Sequence, residues 1–248
     1  MKDIKLTSQE LKAIIDNNKL IGKGYYGAVV EYGNELLKID VNIYDALKDK
    51  DKSKVDYELI DYYTYVKNDF QDRHQIEELD KRQKDVKLTQ LPRGIVTLKS
   101  DIAKINGISP AIITYYHRNH DKLENLNPKD HKRVLIILKK LLLATKELEE
   151  NEISQNDLIH YEDYDAKSHS INVLYQNDTP QIIDTSGMFV EVGERFHGAE
   201  NMYRDLSNII IDYFYLNGFP EPSIRYKITS YEENCDMVKE FEERTRKL

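Results

Sequence analysis

The sequence predicts an α+β fold in which a strand-rich first part is followed by a helical second part. Three observations predict it. β-branched residues, glycines and tight-turn dipeptides gather in Leu20–Ile39, Gly94–Leu98 and Ala111–Tyr115. The two most apolar stretches at helical spacing, His131–Glu150 and Asn201–Leu216, both lie in the second half. No internal repeat and no Pro/Gly/Ser-rich linker interrupts the 248 residues. A single domain of two lobes is therefore expected, spanning about 18–116 and about 117–248, with a seam near residues 115–120. A chain of this length buries roughly three quarters of its unfolded surface, so its core needs no staples.

Taken in order, SQELKAIIDNN (8–18) predicts a short helix with Ser8 as its N-cap. Leu20–Ile39 predicts a strand, a glycine-rich bend, a second strand, a tight turn at Gly33-Asn34 and a third strand. Residues 44–90 are charged and helical in pattern, and YELIDYYTYV (57–66) carries an apolar stripe. Two further strands, Gly94–Leu98 and Ala111–Tyr115, flank a turn at Asn106-Gly107. His131–Glu150 is the strongest helix and is apolar enough to be buried. Short strands follow at Asn172–Tyr175 and Gln181–Ile183 around Asn177-Asp178, then the helix Asn201–Leu216 and a mixed, charged tail beyond Pro222.

Composition narrows the function classes. Hydrophobic residues make up 40% and charged residues 32%, as in a soluble globular protein. The net charge of −8 makes nucleic acid a poor partner, since phosphate backbones call for a basic face. Cys235 is the only cysteine, which excludes an internal disulfide framework and suits a reducing cytoplasm. The opening MKDIKLTSQELKAII is charged and amphipathic, unlike a signal peptide. Val134–Ala144, the most apolar run, is interrupted by Lys139 and Lys140 and is too short to span a bilayer, so no membrane association is expected.

The first constellation with chemistry in it is Gly22-Lys23-Gly24-Tyr25-Tyr26-Gly27-Ala28-Val29. Glycines at this spacing let a backbone turn pass close over phosphates and donate N–H groups where side chains would clash. A dinucleotide-binding fingerprint needs a helix starting within the motif, but here a strand follows, which rejects that option. The second element is Lys38, in Leu36-Leu37-Lys38-Ile39 on the next strand. A lysine flanked by aliphatics on a central strand is costly to bury without an anionic partner, and nucleotide phosphates plus a helix glutamate would supply one.

At this point the sequence resembles the protein kinase superfamily, through the glycine-rich loop GKGYYGAV and the third-strand lysine LLKI. Three later segments extend the resemblance. Gln155-Asn156-Asp157-Leu158, after the long helix, resembles the His-x-Asp-Leu entry of the catalytic loop. Asn172-Val173-Leu174 resembles Asn-Ile-Leu, and Asp184-Thr185-Ser186-Gly187 resembles the Asp-Phe-Gly segment. The resemblance implies a bilobal kinase fold binding ATP and Mg²⁺. Gly22, Gly24, Gly27, Val29 and Lys38 would hold the nucleotide, with Thr114 guarding the back of its pocket and Tyr116 in the hinge that reads adenine. Asn172 and Asp184 would hold the metal, Asp157 would be the catalytic base, and Asp205 would brace the catalytic loop. Glu58 is the favoured partner of Lys38, with Glu77 and Glu78 as alternatives.

Departures from the family pattern shape the expected activity. Asp157 and Asn172 lie fifteen residues apart, where kinases usually have five. About ten residues, roughly Ile159–Ser168, are therefore inserted, with His160 and His169 at the edges. Asp165-Ala166-Lys167 inside the insert also looks like the Asp-x-Lys of Ser/Thr kinases, so Asp165 and Lys167 compete with Asp157, whose place after the helix is preferred. Thr185-Ser186 replaces Phe-Gly, and the stretch between Asp184 and Asp205 is short. The expectation is an ATP- and Mg²⁺-dependent phosphotransferase acting on Ser/Thr hydroxyls of a protein substrate. The alternatives are a small-molecule kinase of the aminoglycoside or choline kinase type and a nucleotide-binding pseudokinase.

Overall fold

The computed structural model describes residues 1–24, 27–48, 73–89, 91–98, 111–115, 120–161, 169–183, 188–190, 198–223 and 230–248. The fold is α+β, and the chain divides into two compact units, Met1–Lys81 with Leu91–His117 and Arg82–Gln90 with Arg118–Leu248.

The first unit is built on a six-stranded sheet of β1 (Lys2–Leu6), β2 (Leu20–Lys23), β3 (Gly27–Tyr32), β4 (Glu35–Asp40), β5 (Gly94–Leu98) and β6 (Ala111–Tyr115), in the order β1-β5-β6-β4-β3-β2. Period-two alternation in β3 and β4 sets one face of it. Ala28 lies opposite Ile39 and Val30 opposite Leu37, and all four are buried. Helix α1 (Ser8–Asn17) adds Leu11 and Ile15 to that face, and α2 (Val41–Lys48) adds Ile43, Tyr44 and Leu47. Each of these large aliphatic side chains contributes about 1.5–3 kcal/mol by leaving water. The β3–β4 hairpin turns at Gly33, whose φ of +62° suits glycine. The third helix, α3 (Arg73–Arg82), buries Ile76 and Leu79.

Two details differ from expectation. The N-cap of α1 is Thr7 rather than Ser8. Thr7 Oγ1 accepts from Glu10 N at 3.1 Å, and the Glu10 carboxylate accepts from Thr7 N at 2.7 Å. Thr7 has a glutamate three residues on and Ser8 has a leucine, so only Thr7 closes a capping box. The first residues also form a strand instead of merely leading into the helix. β1 pairs in parallel with β5, Lys2 opposite Gly94. Five residues alternating with lysine and aspartate look like a charged approach when joined to the helix behind them. The stripe over 57–66 and the turn at Asn106-Gly107 lie outside the described residues.

The second unit packs three helices, α4 (His131–Glu150), α5 (Gly198–Leu216) and α6 (Tyr231–Thr245). Asp130 caps α4, accepting from Arg133 N at 3.3 Å. The apolar face of α4 runs through Val134, Ile137, Leu138, Leu141, Leu142 and Leu148, all buried. Ser230 and Glu233 form a capping box on α6, and Phe214 and Phe241 meet at 5.3 Å between ring centroids. Around the helices lie three small sheets. β12 (Thr179–Ile182), β11 (Val173–Gln176) and β7 (Asp121–Lys122) form one in that order, β13 (Met188–Val190) pairs with β8 (Ile153–Gln155), and β10 (His169–Ile171) pairs with β9 (Ile159–Tyr161). The β11–β12 hairpin turns through Asn177 and Asp178 with φ of 48° and 59°, residue types that tolerate the left-handed region. Arg133 holds that turn from α4, its Nε 2.5 Å from the Asp178 carboxylate. Among the described residues no helix is long and apolar enough to cross a membrane.

The β1–β5 pairing generates a test. A Cβ placed on Gly94 would lie 2.3 Å from the Lys2 carbonyl oxygen and 2.8 Å from Lys2 Cβ. Gly94→Ala should therefore force β1 away from β5 and destabilise the protein by about 1–3 kcal/mol, as overpacking against fixed backbone does. Urea unfolding of the variant measures the loss. A midpoint equal to the wild type's would show that β1 does not hold the edge of this sheet.

Candidate functional site

In the first unit the glycine-rich segment forms the β2–β3 hairpin, with Gly22 opposite Val29 and Lys23 opposite Ala28. Gly24 N donates to Gly27 O at 2.9 Å where the two strands end. Lys38 lies opposite Val29 on β4 and is only 7% exposed. Its aliphatic stem crosses Gly27, since a Cβ there would sit 3.0 Å from Lys38 Cε and 3.2 Å from Ile39 O. Gly27 thus has a reason inside the protein. Gly22 and Gly24 do not. A Cβ on either meets nothing within 4 Å, and neither has a positive φ. Glycine at those two positions leaves backbone open to the close approach of something else, as a phosphate cradle requires.

Helix α3 sits on the lysine's side of the sheet. Lys38 and Ile95 are both register partners of Ile112, so they leave the sheet on one face, and buried Ile76 of α3 packs against Ile95. α2 packs on the opposite face, with Ala28, Val30, Leu37 and Ile39. Glu77 and Glu78 therefore belong to a helix laid on the Lys38 face, and Glu78 is ion-paired with Lys81. Glu58 and Tyr116 lie outside the described residues, and Thr114 is described as the β6 partner of Leu36.

In the second unit the structure brings Asp157 and Asn172 together. Asn172 Nδ2 donates to the Asp157 carbonyl at 2.5 Å, and Asn172 N to the Leu158 carbonyl at 2.9 Å. The residues inserted between them enter and leave as β9 and β10, an antiparallel arm with Ile159 opposite Ile171 and His160 opposite Ser170. The two histidines thus lie on paired strands rather than in a loop. Asp165, Lys167 and Asp184 lie outside the described residues. The neighbour of Asp184 is described. Ile183 N donates to the Asn172 carbonyl at 2.9 Å.

Gln155 ties these pieces to each other, a role sequence reasoning missed. Fully buried, it donates from Nε2 to the Ile183 carbonyl at 3.3 Å and accepts from Asp157 N at 3.3 Å through Oε1. It is also the register partner of Met188 on β13, so both flanks of residues 184–187 meet it. The signal was its replacement of a histidine. Like a neutral imidazole, an amide both donates and accepts.

Asp205 of α5 braces the same place, accepting Leu158 N at 3.1 Å and Ile159 N at 3.3 Å on one oxygen. Burial raises its pKa to about 6 despite these two donors, which pull it down, and the nearby Asp157 pushes it further up. The arrangement supplies a carboxylate, Asp157, held by its own backbone beside an asparagine whose amide nitrogen is engaged. The Asn172 carbonyl oxygen is the atom suited to a hard cation. Among the described residues no three of His, Cys, Asp and Glu converge as a metal site.

Because Asp205 holds its proton more tightly folded than unfolded, its ionisation costs stability. The stability tied to this group is fully present below about pH 4 and falls as pH rises through about 6, by roughly 3 kcal/mol in all. Asp205→Asn should flatten the stability profile between pH 4 and 7 by about that amount. Urea unfolding of both proteins at each pH measures it, and parallel profiles would show that Asp205 does not titrate in this range.

Compared with protein-family models and with curated proteins, the chain matches none.

Proposed function

We propose that this chain is an ATP- and Mg²⁺-dependent phosphotransferase of bilobal, protein-kinase-like fold that acts on Ser/Thr hydroxyls of proteins in the cytoplasm. The observation that carries the proposal is the junction in which Asn172 is hydrogen-bonded to Asp157 across the base of the arm, with Ile183 bonded to Asn172 and Gln155. Asp157 and Asn172, which match the family's base and one of its metal ligands, thus share one junction although fifteen residues separate them in sequence. The order of parts in the first unit supports the same reading. A glycine hairpin, a buried lysine on the third strand of a meander, a helix on the lysine's face and two more strands follow one another as in protein kinases.

In this proposal Gly22 and Gly24 offer N–H groups to the nucleotide phosphates, Val29 packs on the base, and Thr114 and Tyr116 border the adenine. Lys38 neutralises phosphate charge. Its helix partner is Glu58, or Glu77 or Glu78 of α3, the helix laid on the lysine's face. Asp157 orients the acceptor hydroxyl and accepts its proton, and Asn172 and Asp184 hold Mg²⁺. The metal supplies charge neutralisation at the phosphates. Transfer of this kind demands positioning and electrostatics more than covalent chemistry, which suits a site made of clamped backbone.

A second reading draws on the segment after β13. Seven residues, 191–197, separate Val190 from the start of α5 at Gly198. That leaves little chain for a peptide platform and favours a small hydroxylated acceptor. Incubation with labelled ATP and Mg²⁺, alone and with lysate, separates the two. Label is expected in protein, and none with Lys38→Ala, which should keep the wild-type circular dichroism. Label confined to small molecules would assign the second reading, and label in neither fraction would end the phosphotransferase reading.

The base is decided by two variants. Asp157→Asn should lower the transfer rate at saturating ATP by at least about a hundredfold, the lower end for a positioned general base. Asp165→Asn should cost less than about tenfold, with ATP affinity preserved in both. The reverse order would move the base into the arm.

A further inference from the structure

We infer that Glu124 is a positioning residue for the transfer reaction, fixing Asn172 from the side of the arm opposite Asp205. The inference rests on the phosphotransferase reading of this junction. Glu124 lies in the single helical turn Leu123–Asn125, and its Oε1 accepts Ile171 N at 2.8 Å. Ile171 is the last residue of β10 and the one before Asn172.

The pairing of the arm explains why that N–H is available. Antiparallel strands alternate between pairs that bond each other and pairs whose N–H groups point outward. Asn172 N bonds Leu158 O, so the next pair, Ile159 with Ile171, presents its N–H groups to the two outer edges. Both are taken by carboxylates. Asp205 holds Ile159 N at 3.3 Å on one edge, and Glu124 holds Ile171 N at 2.8 Å on the other. The base of the arm is gripped from both sides, one strand leaving Asp157 and the other entering Asn172.

Glu124 is itself anchored to the sheet that Asn172 enters. Leu123 and Leu126, on either side of it, are 1% and 4% exposed. The preceding residues form β7, with Lys122 opposite Leu174 and Asp121 opposite Tyr175 on β11. A carboxylate fixed to β11 thus holds the Ser170–Ile171 peptide at the end of β10, one residue before Asn172, which joins β10 to β11. The bond is exposed, so water would satisfy the Ile171 N–H if Glu124 were removed. Stability alone gives little reason for a carboxylate here. A charge-assisted bond does more to fix direction, which is what a metal-binding side chain one residue on requires.

Glu124→Ala and Glu124→Gln test this, the second keeping an oxygen that can accept Ile171 N–H. In the full chain without nucleotide, amide exchange at Ile171 and Asn172 should quicken by about tenfold in Glu124→Ala, the loss of one net hydrogen bond, and stay near wild type in Glu124→Gln. In labelled-ATP transfer, Glu124→Ala should raise the Mg²⁺ concentration for half-maximal rate by about tenfold, with ATP affinity in the absence of metal and the melting temperature little changed. Glu124→Gln should restore most of the metal dependence. Unchanged exchange at Ile171 and Asn172, or an unchanged Mg²⁺ dependence in active Glu124→Ala, overturns the inference. A wild type that transfers no phosphate to any acceptor overturns the reading beneath it, and the role in transfer falls with it.

Discussion

The second unit depends on how the peptide groups at Asp157 are held. The amide N–H of Asp157 goes to Gln155, its carbonyl receives Asn172, and the next two N–H groups go to Asp205. A backbone fixed at each of these points has very little freedom to tilt, so the position of the Asp157 Cα–Cβ bond follows from its neighbours' hydrogen bonds. The elements that bring those neighbours are unrelated in sequence. β8 delivers Gln155, β11 begins just after Asn172, and α5 delivers Asp205. Helix α4 fixes where β8 begins, which makes its long apolar face part of the site's geometry and not only of its core.

That arrangement has a stability cost. An aspartate whose pKa is raised to about 6 by burial is ionised at neutral pH against its surroundings. A hydrophobic residue of similar size at 205 would remove the penalty and leave the Leu158 and Ile159 N–H groups without their carboxylate. The cost of burying the carboxylate is thus offset by the two backbone N–H groups it satisfies. Lys38 is the counterpart in the first unit. It is a buried cation on a central strand, and its stem occupies the space that a side chain on Gly27 would need. At Gly22 and Gly24 a Cβ would meet nothing within 4 Å among the described residues, so the backbone of the same hairpin is open there.

Much of this could be read from the chain. β5, β6 and α4 fall on the residues the sequence pointed to, because turn dipeptides and apolar periods mark them locally. β8, β9, β10 and β13 have three residues each, too few to show any period. β1 was hidden because its partner strand lies some ninety residues away. The site divides along the same line. Glycines, a strand lysine and the Asp and Asn of the loop have types and spacings that carry meaning on their own. Gln155 and Glu124 have only partners, 28 and 47 residues distant, and a glutamine or glutamate alone predicts neither. The helix beside Lys38 shows the same division. Spacing points to Glu58, which lies outside the described residues. Helix α3, which carries Glu77 and Glu78, is laid on the lysine's face through Ile76 and Ile95, a contact no local pattern encodes.

The residues between Asp157 and Asn172 show why a long excursion of the chain need not disturb the junction at its base. In an antiparallel arm the first and last residues are neighbours whatever the length between them, so lengthening adds rungs away from the base. The entropy of closing a longer loop grows only with the logarithm of its length, about 0.6 kcal/mol for each doubling. At the base, Asn172 N donates to the Leu158 carbonyl, and carboxylates from α5 and from the turn after β7 grip the next pair. Change beyond that second pair is therefore insulated from Asp157 and Asn172. The arm and the junction below it can thus vary separately, and the grip at the base is the physical condition that allows it.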